Sequence, residues 1–595
     1  RCAPGRSPTL ALRLRTFRFG VCDANFRLHA MSQMLKSSGS MAAATLTSRV
    51  LGMVREMVYY SFMGTGWVND AFQYAFTVPN LFRRLLGEGA LTAAFIPVFK
   101  EKEKIHGEDE MWRAANAVIS GLVVAACVIV ALVLLGVSLA LAFGTPHQLA
   151  QLPADSGLHQ TSLSAQTNAM VPAAGQIHFW TPGHFSQKTI LMLQLLRVMF
   201  PYMILVCLTA VMMGMLNARG HFFIPAMGAT MLNVVMIASV WWLAPKFGLE
   251  LPKEQRLPVQ IFALAYGVLA AGVAQAAFQL PTLCRDGFRY GWVSPWRDAT
   301  VQRVVRQMIP GTIGVAAFQI NVALVQGVAF FVGTGIVSSF NGAVRLMELP
   351  QGMFGISLAT YLLPTLSGLA TDKNYPEFRA ALRHGLSTVI FLNLIASVLL
   401  VTLAEPIVRL LFERGAFTGG STVRVAYALT CLAPGLVLFS TVNILARAFY
   451  ALGDTKTPMK ISVVCLVINF AATCALLKPL REGGPGIVNT LTSCLNLALL
   501  LFALRKKLGK LELELLRKNL PPLALMTILA GLVAWASWRL WENSIGHGTL
   551  ALKIGAVFVP AGVAGLAYWL AALAFNIPAA KEMAEFALAR FKTRN

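Results

Sequence analysis

Four arginines stand in apolar sequence where charge is costly. The stretch from Thr45 to Glu101 is apolar enough to sit in a bilayer, yet it carries Arg49, Arg55, Glu56, Asp70, Arg83, Arg84 and Glu88. A charge at membrane depth costs ~2.5–3.5 kcal/mol on insertion scales. Arginine stays charged and presents a planar fork of donors that fits phosphate or carboxylate oxygens. The chemistry these residues suit is holding an anion in a water-filled space. Arg49 and Arg55 are six residues apart, about 120° short of two helical turns, so they can line a broad wall but not a narrow stripe. Arg83 and Arg84 are adjacent, so one is expected to face a cavity and the other the headgroups. Further along, NGAVRLMELPQG supplies Arg345 and Glu348, an i, i+3 pair on one helix. Arg49, Arg55, Arg83 and Arg345 on one cavity would suit a dianionic head such as a pyrophosphate. The competing reading is that the arginines snorkel or pair with Glu56, Asp70, Glu88 and Glu348. Asp70 has three open roles: helix cap, partner of an arginine, or gate. Ser338, in the matching segment of the second half, is grouped with it, as are Glu88 and Glu348. Pro79 and Asn80 are expected to kink or loosen their helix.

The elements that must position these side chains are membrane helices. The chain has 595 residues, 56% hydrophobic and 13% charged, against about 25% charged in soluble proteins. Apolar runs near the spanning length of ~20 residues recur throughout, and they are continuous rather than alternating, which excludes a β-barrel. The formal net charge of +24 reflects Lys and Arg in short loops, so no nucleic-acid partner is expected. Nine cysteines and nine histidines show no metal-ligand spacing. With no GxxxxGK[ST] motif and no Ser–His–Asp arrangement, neither cofactor, metal, ATPase nor other enzymatic activity is expected.

Fourteen spans are predicted, near 41–63, 68–97, 113–143, 190–216, 222–243, 259–282, 309–332, 336–366, 384–404, 424–451, 458–477, 486–504, 520–541 and 550–575. The loop 143–189 has no Lys or Arg until Lys188 and is expected to face outward. The basic segments around Arg285–Arg306 and Arg505–Lys518 are expected in the cytoplasm, which puts both termini there. Residues 1–30 hold six arginines and one acid and lie outside the pattern. They are expected to be an extension that does not belong to the fold, a start-site or cloning artefact.

The sequence also repeats. MGTGWVNDAF from Met63 answers VGTGIVSSF from Val332, and 200–225 matches 433–458 at an offset of 233, pairing Pro201 with Pro434, Gly220 with Gly453 and Pro225 with Pro458. The fold class predicted is an all-α polytopic membrane protein. Two parallel six-helix repeats form N and C lobes, with two extra C-terminal helices and a site between the lobes near mid-membrane. The divisions are 1–30 for the extension, 31–300 and 301–508 for the lobes, and 509–595 for the last two spans and a cytoplasmic tail.

SRVLGMVRE (48–56), NDAFQYAFTVPNLFRRLLGEGALTAAFIPVF (69–99), RLMELPQGMFGISLATYLLPTLS (345–367) and AFYALGDTKTPMK (448–460) strongly resemble the MurJ (MviN) family of bacterial lipid II flippases. That family sits in the superfamily that also holds MATE exporters and polysaccharide-unit flippases. The resemblance runs over about residues 32–590. It implies fourteen helices, two lobes around a cationic cavity, and alternating access. Its implied substrate is the undecaprenyl-pyrophosphate-linked disaccharide-pentapeptide, carried from the inner to the outer leaflet of the cytoplasmic membrane for cell-wall biogenesis. Membrane lipids and cell-wall synthases are the other partners it implies. The family's cavity arginines fall on Arg49, Arg55, Arg83 and Arg345, and its second-helix aspartate on Asp70. The last two spans would form, with the second lobe, a groove for the lipid tail. Two departures stand out. Val344 precedes Arg345 where some members have Asp. No acid lies within 311–332 or 458–477, where some members hold sodium, which favours the membrane potential as drive. The alternatives are a MATE-like drug exporter, which would want an acidic or aromatic cavity, and a non-transporting membrane scaffold, which would need neither arginines in both lobes nor a repeat.

Overall fold

The computed structural model describes residues 47–87, 90–144, 185–296, 298–509, 511, 514–582 and 584–585. Residues 1–30, residues 145–184 of the outward loop and Glu88, all singled out above, lie outside the described residues. Among the described residues the structure is helical, with no strand. In chain order the helices are α1 (47–63), α2 (Trp67–Phe82), α3 (Ala90–His106), α4 (Glu108–Gly144), α5 (Gln187–Met199), α6 (Tyr202–Ala218), α7 (Phe223–Ala238), α8 (Leu257–Arg285), α9 (Ala299–Val332) and α10 (Ile336–Pro350). They continue as α11 (Ser357–Thr371), α12 (Tyr375–Thr402), α13 (Ala404–Phe412), α14 (Gly419–Leu432), α15 (Gly435–Ala451), α16 (Lys456–Leu480), α17 (Gly484–Leu508), α18 (Glu514–Ser544) and α19 (Leu550–Ala574).

Within the described residues, each predicted span lies on one of these rods or on a bent or chained set of them. Length and hydropathy alone pick out eight membrane-crossing stretches among the described residues, or ten if each bent pair is one span, and the stretch Lys456–Leu508 runs through two of the predicted spans. α1 and α2, which carry Arg49, Arg55, Glu56 and Asp70, are not among them, since both are shorter than a full span within the described residues. Elsewhere the lipid-facing surface is plain. Val128, Leu132, Leu135 and Leu139 are all about half exposed or more and recur at i, i+4, i+7 and i+11, one stripe of α4.

The repeat is visible in the backbone. α5 and α6 bend by 44° at Pro201, and α14 and α15 by 43° at Pro434. The turn before α2 contains Gly64 at φ +61, and the turn before α10 contains Gly335 at φ +77, both left-handed conformations that favour glycine. Each following helix then widens into a π-helical segment: Arg83–Gly87 after α2 and Gln351–Ile356 after α10. The loosening expected at Pro79 and Asn80 is displaced. The helix runs through both, and the register changes only at Arg83. Pro350 plays the same part directly before the second π-segment. A missing proline N–H frees a carbonyl one turn back, and a π-turn is one way to absorb it.

One element was not foreseen. The connection between the predicted spans 384–404 and 424–451 contains the short helix α13, held by Arg409, whose guanidinium contacts Glu405 at 2.5 Å and Glu542 of α18 at 3.1 Å. Two ends of the bundle can be distinguished. At the glycine end the turns of Gly64, Gly335 and Gly415 meet, with the Ala416 N–H donating to the Ser61 carbonyl at 2.8 Å. At the basic end, Arg303 reaches Glu101 and Lys507 reaches Asp454.

Candidate functional site

The arginines are brought together along one seam. α1 runs antiparallel to α10 and the π-segment that follows it, and the seam residues recur at spacings of four or seven, which return nearly to the same face. Glu56 meets Arg345, its Oε1 lying 3.3 Å from Nε. One heptad away on each helix, Arg49 packs on Gly352 so closely that a methyl group at Gly352 would collide with the guanidinium. Toward the glycine end the Tyr60 hydroxyl donates to the Ser338 carbonyl at 2.7 Å.

The charges on the seam form a chain. Arg55 donates to Asn233 Oδ1 at 3.0 Å and to Glu56 Oε1 at 2.5 Å, and stands over the Tyr59 ring. Glu56 also pairs with Arg345, which donates to Glu348 Oε2 at 2.9 Å. Arg55 and Glu56 are shut in, with side chains 12% and 10% exposed, whereas Arg345 is 45% exposed. Arg345 is surrounded by protein on most sides and still reaches water, as a cavity wall does. Arg49 is exposed, and among the described residues it makes no ion pair. Arg83 opens the first π-segment and is half-buried. Arg84, its exposed neighbour, reaches across to α9 and donates to Gln319 Oε1 at 3.3 Å.

Uncharged groups continue the contact between the halves. Thr77 donates to Gln326 Oε1 at 2.6 Å, Gln326 to Asn341 Oδ1 at 3.1 Å, and Asn341 to Gln73 Oε1 at 2.5 Å. Two surface hollows, of about 190 and 350 Å³, lie at the basic end, away from the seam.

Asp70 is fully buried and, among the described residues, its charged partner is Lys188 and not an arginine. Its carboxylate accepts from the Gly335 N–H at 2.5 Å, the Ser338 N–H at 2.9 Å and Lys188 Nζ at 3.1 Å. Gly335 occupies the N-cap of α10 and has no capping side chain to offer, so Asp70 caps that helix from the other half of the molecule. A carboxylate at a helix N-terminus is favoured by the dipole and the free N–H groups, and Asp70 also sits in the first turn of its own α2. Lys188 further donates to the carbonyls of Phe330 and Gly333 at 2.7 and 2.9 Å. Ser338 contributes its backbone N–H here, while its hydroxyl turns back to the Gly335 carbonyl. Glu348 sits at the far end of the arginine chain.

Two participants were not assigned roles from sequence. Lys188 was visible as the one Lys or Arg of the loop 143–189, directly before an apolar run. Asn233 was visible as the one amide in an otherwise apolar stretch of α7; its Nδ2 donates to the Ser48 carbonyl at 3.2 Å while its oxygen receives Arg55. A cation in the first turn of α5 opposes the helix dipole, which signals a partner elsewhere.

Fold and seam together define a two-lobed polytopic α-helical membrane protein of the transporter type. A family model described as lipid II flippase MurJ matches residues 59–153 and 154–554. A probable lipid II flippase MurJ of Vibrio cholerae is 31% identical over 539 residues, covering 89% of this chain and 95% of its own length. Lipid II flippase MurJ of Burkholderia cenocepacia is 31% identical over 498 residues, covering 83% and 88%. The chain belongs to the MurJ lipid II flippase family. Among solved structures, a lipid II flippase MurJ in an inward closed conformation shares the fold at a TM-score of 0.67 with 20% identity, covering 90% of this chain and 98% of that one. An inward-facing MATE family multidrug resistance transporter of the MOP superfamily shares it at 0.56 with 15% identity, covering 78% and 95%.

Proposed function

We propose that this protein moves lipid II, the undecaprenyl-pyrophosphate-linked disaccharide-pentapeptide, from the inner to the outer leaflet of the bacterial cytoplasmic membrane by alternating access. The basic end faces the cytoplasm, as do both termini. The lobes that rock are 31–300 and 301–508, with 509–595 riding on the second. The observation that carries this reading is the Arg55–Glu56–Arg345–Glu348 chain: cations from both lobes are held in place by acids that an incoming anion can displace.

In this mechanism Arg345, already open to water, meets the pyrophosphate first. Arg49 and Arg83 add charge from the other lobe. As Arg345 turns to the phosphate, Glu56 loses one of its two arginines, and the α1–α10 contact loosens. Asp70, Lys188 and the N-terminus of α10 form the gate at the glycine end, which must part before the head group leaves outward. Asn321, Asn469 and Thr473 occupy the helices where an acidic sodium site would stand, and Asn321 donates to Asn469 at 3.3 Å. These groups are neutral, which supports drive by the membrane potential rather than by sodium.

The deciding experiment replaces Arg49, Arg55, Arg83 and Arg345 singly by Ala in cells depleted of their own flippase, with membrane levels checked. Normal insertion, failed growth and lipid II that stays inaccessible at the outer leaflet are the expected results. Normal flipping by all four variants would sink the proposal.

A further inference from the structure

At the basic end, away from the arginine seam, α12, α18 and the segment after α19 enclose a hollow of about 190 Å³. Its wall on α12 is one helical face, Ala380, Arg383, His384 and Ser387; Asn519 comes from the first turns of α18, and Pro578, Ala579 and Glu582 from beyond α19. One water needs only ~10–15 Å³ by the same measure, so the space holds a multi-atom group. It sits at headgroup depth. Arg517 and Lys518 directly precede Asn519 and are exposed, while Leu520 and Phe575 on either side present 45% and 49% of their surface, as lipid-facing residues do.

The polar groups have two signs. Arg383 and His384 lie on one wall and Glu582 on the other, with His384 Nε2 3.5 Å from Glu582 Oε2. Both members of that pair are more than half exposed, and such pairs contribute little, so a ligand can part them at small cost. An Arg fork with an imidazole suits a phosphate diester, and a carboxylate across the hollow suits a primary ammonium. We propose that this hollow binds the headgroup of a zwitterionic amino-phospholipid. Its phosphate lies toward Arg383 and His384, its ammonium toward Glu582, and its glycerol against Ala380, Pro578 and Ala579. The bound lipid would clamp α18 and α19 to α12. This inference is independent of the transport reading, since none of its residues belongs to the seam.

The test is native mass spectrometry of delipidated full-length protein titrated with phosphatidylethanolamine, phosphatidylglycerol, phosphatidylcholine or inorganic phosphate. Phosphatidylethanolamine should be retained about tenfold better than phosphatidylcholine, whose methylated amine cannot donate to Glu582. Glu582→Gln should weaken phosphatidylethanolamine and leave phosphatidylglycerol unchanged. Arg383→Gln should weaken both, with thermal unfolding in detergent confirming that each variant is folded. Equal retention of phosphatidylethanolamine and phosphatidylcholine would overturn the proposal, and so would phosphatidylglycerol binding that strengthens in Glu582→Gln with phosphatidylethanolamine unmoved. Full competition by inorganic phosphate would assign the hollow to a free anion and would also overturn it.

Discussion

Two charged sites join the halves of this protein, and they are built on opposite plans. At the glycine end Asp70 is sealed from water and has both carboxylate oxygens engaged, by two backbone N–H groups and a lysine that is itself bound to two carbonyls. Along the α1–α10 seam the partners are shared and wetted, and one cation is left over: Arg345 stays 45% exposed and divides its contacts between Glu56 and Glu348, Glu56 also holds Arg55, and Arg49 makes no ion pair among the described residues. A saturated buried site gains nothing from a ligand and serves as a latch. An unsaturated, wetted one can exchange partners and serves as a binding surface. The difference lies in the surroundings rather than in residue type, since both are carboxylate–cation contacts.

Breaking the latch is expected to have the largest effect. Asp70→Leu removes the cap of α10 and strands Lys188 without its counter-ion, and losing one partner of a buried pair costs ~3–5 kcal/mol. The structure puts the Thr65 and Ser421 hydroxyls 2.7 Å apart beside this site. Spin labels at those two positions should report a longer distance in Asp70→Leu than in a background with Asp70 intact. An unchanged distance distribution would mean that the latch does not hold the glycine end shut.

Next in size are changes to the seam. Arg345→Ala should leave the fold intact, because its side chain is half open, and should cut flipping by tenfold or more, roughly the loss of one charge-assisted contact. Glu56→Gln probes the other partner: by freeing Arg55 and Arg345 it should tighten anion binding while slowing release. Measured lipid II affinity that falls in Glu56→Gln would contradict the view that Glu56 competes with the substrate. Gly352→Ala should act in the same direction as Arg49→Ala but more weakly, because the added methyl displaces the Arg49 guanidinium without removing it.

Much of this architecture was legible in the sequence, and the reason is physical. Spanning length, loop charge and the aligned Gly and Pro pairs are local or periodic, so the helices and the two turns at Gly64 and Gly335 could be anticipated, whereas the 44° and 43° bends at the paired prolines were not predicted. The family followed from contiguous motifs around Arg49, Arg83 and Arg345. What could not be read was pairing across the molecule. Nothing local to Asp70 shows that it caps a helix 265 residues away, and nothing local to Lys188 shows that it completes that contact 118 residues from Asp70. Pro79 announced a disturbance, but its site, four residues on at Arg83, depends on how α2 packs. The amphipathic α13 was hidden because nine residues between two spans carry too short a pattern to distinguish from a loop.

The smallest expected effect calibrates the comparison from outside the membrane. Asp454, in the turn after α15, accepts from Lys507 at 2.9 Å and from the Thr457 N–H at 3.0 Å, which hold its carboxyl down at about 2. A depressed carboxyl stabilises the fold at pH values above its unfolded pKa of about 3.9, and that contribution is lost as pH falls toward the folded value. The pair is open to water, so its net worth is under ~1 kcal/mol. Asp454→Asn should therefore lower the unfolding temperature slightly at pH 7, less so in high salt, and progressively less as pH falls through about 2, while flipping stays normal. If Asp454→Asn proved as damaging as Asp70→Leu, burial and saturation would not be what separates a latch from an ordinary surface pair.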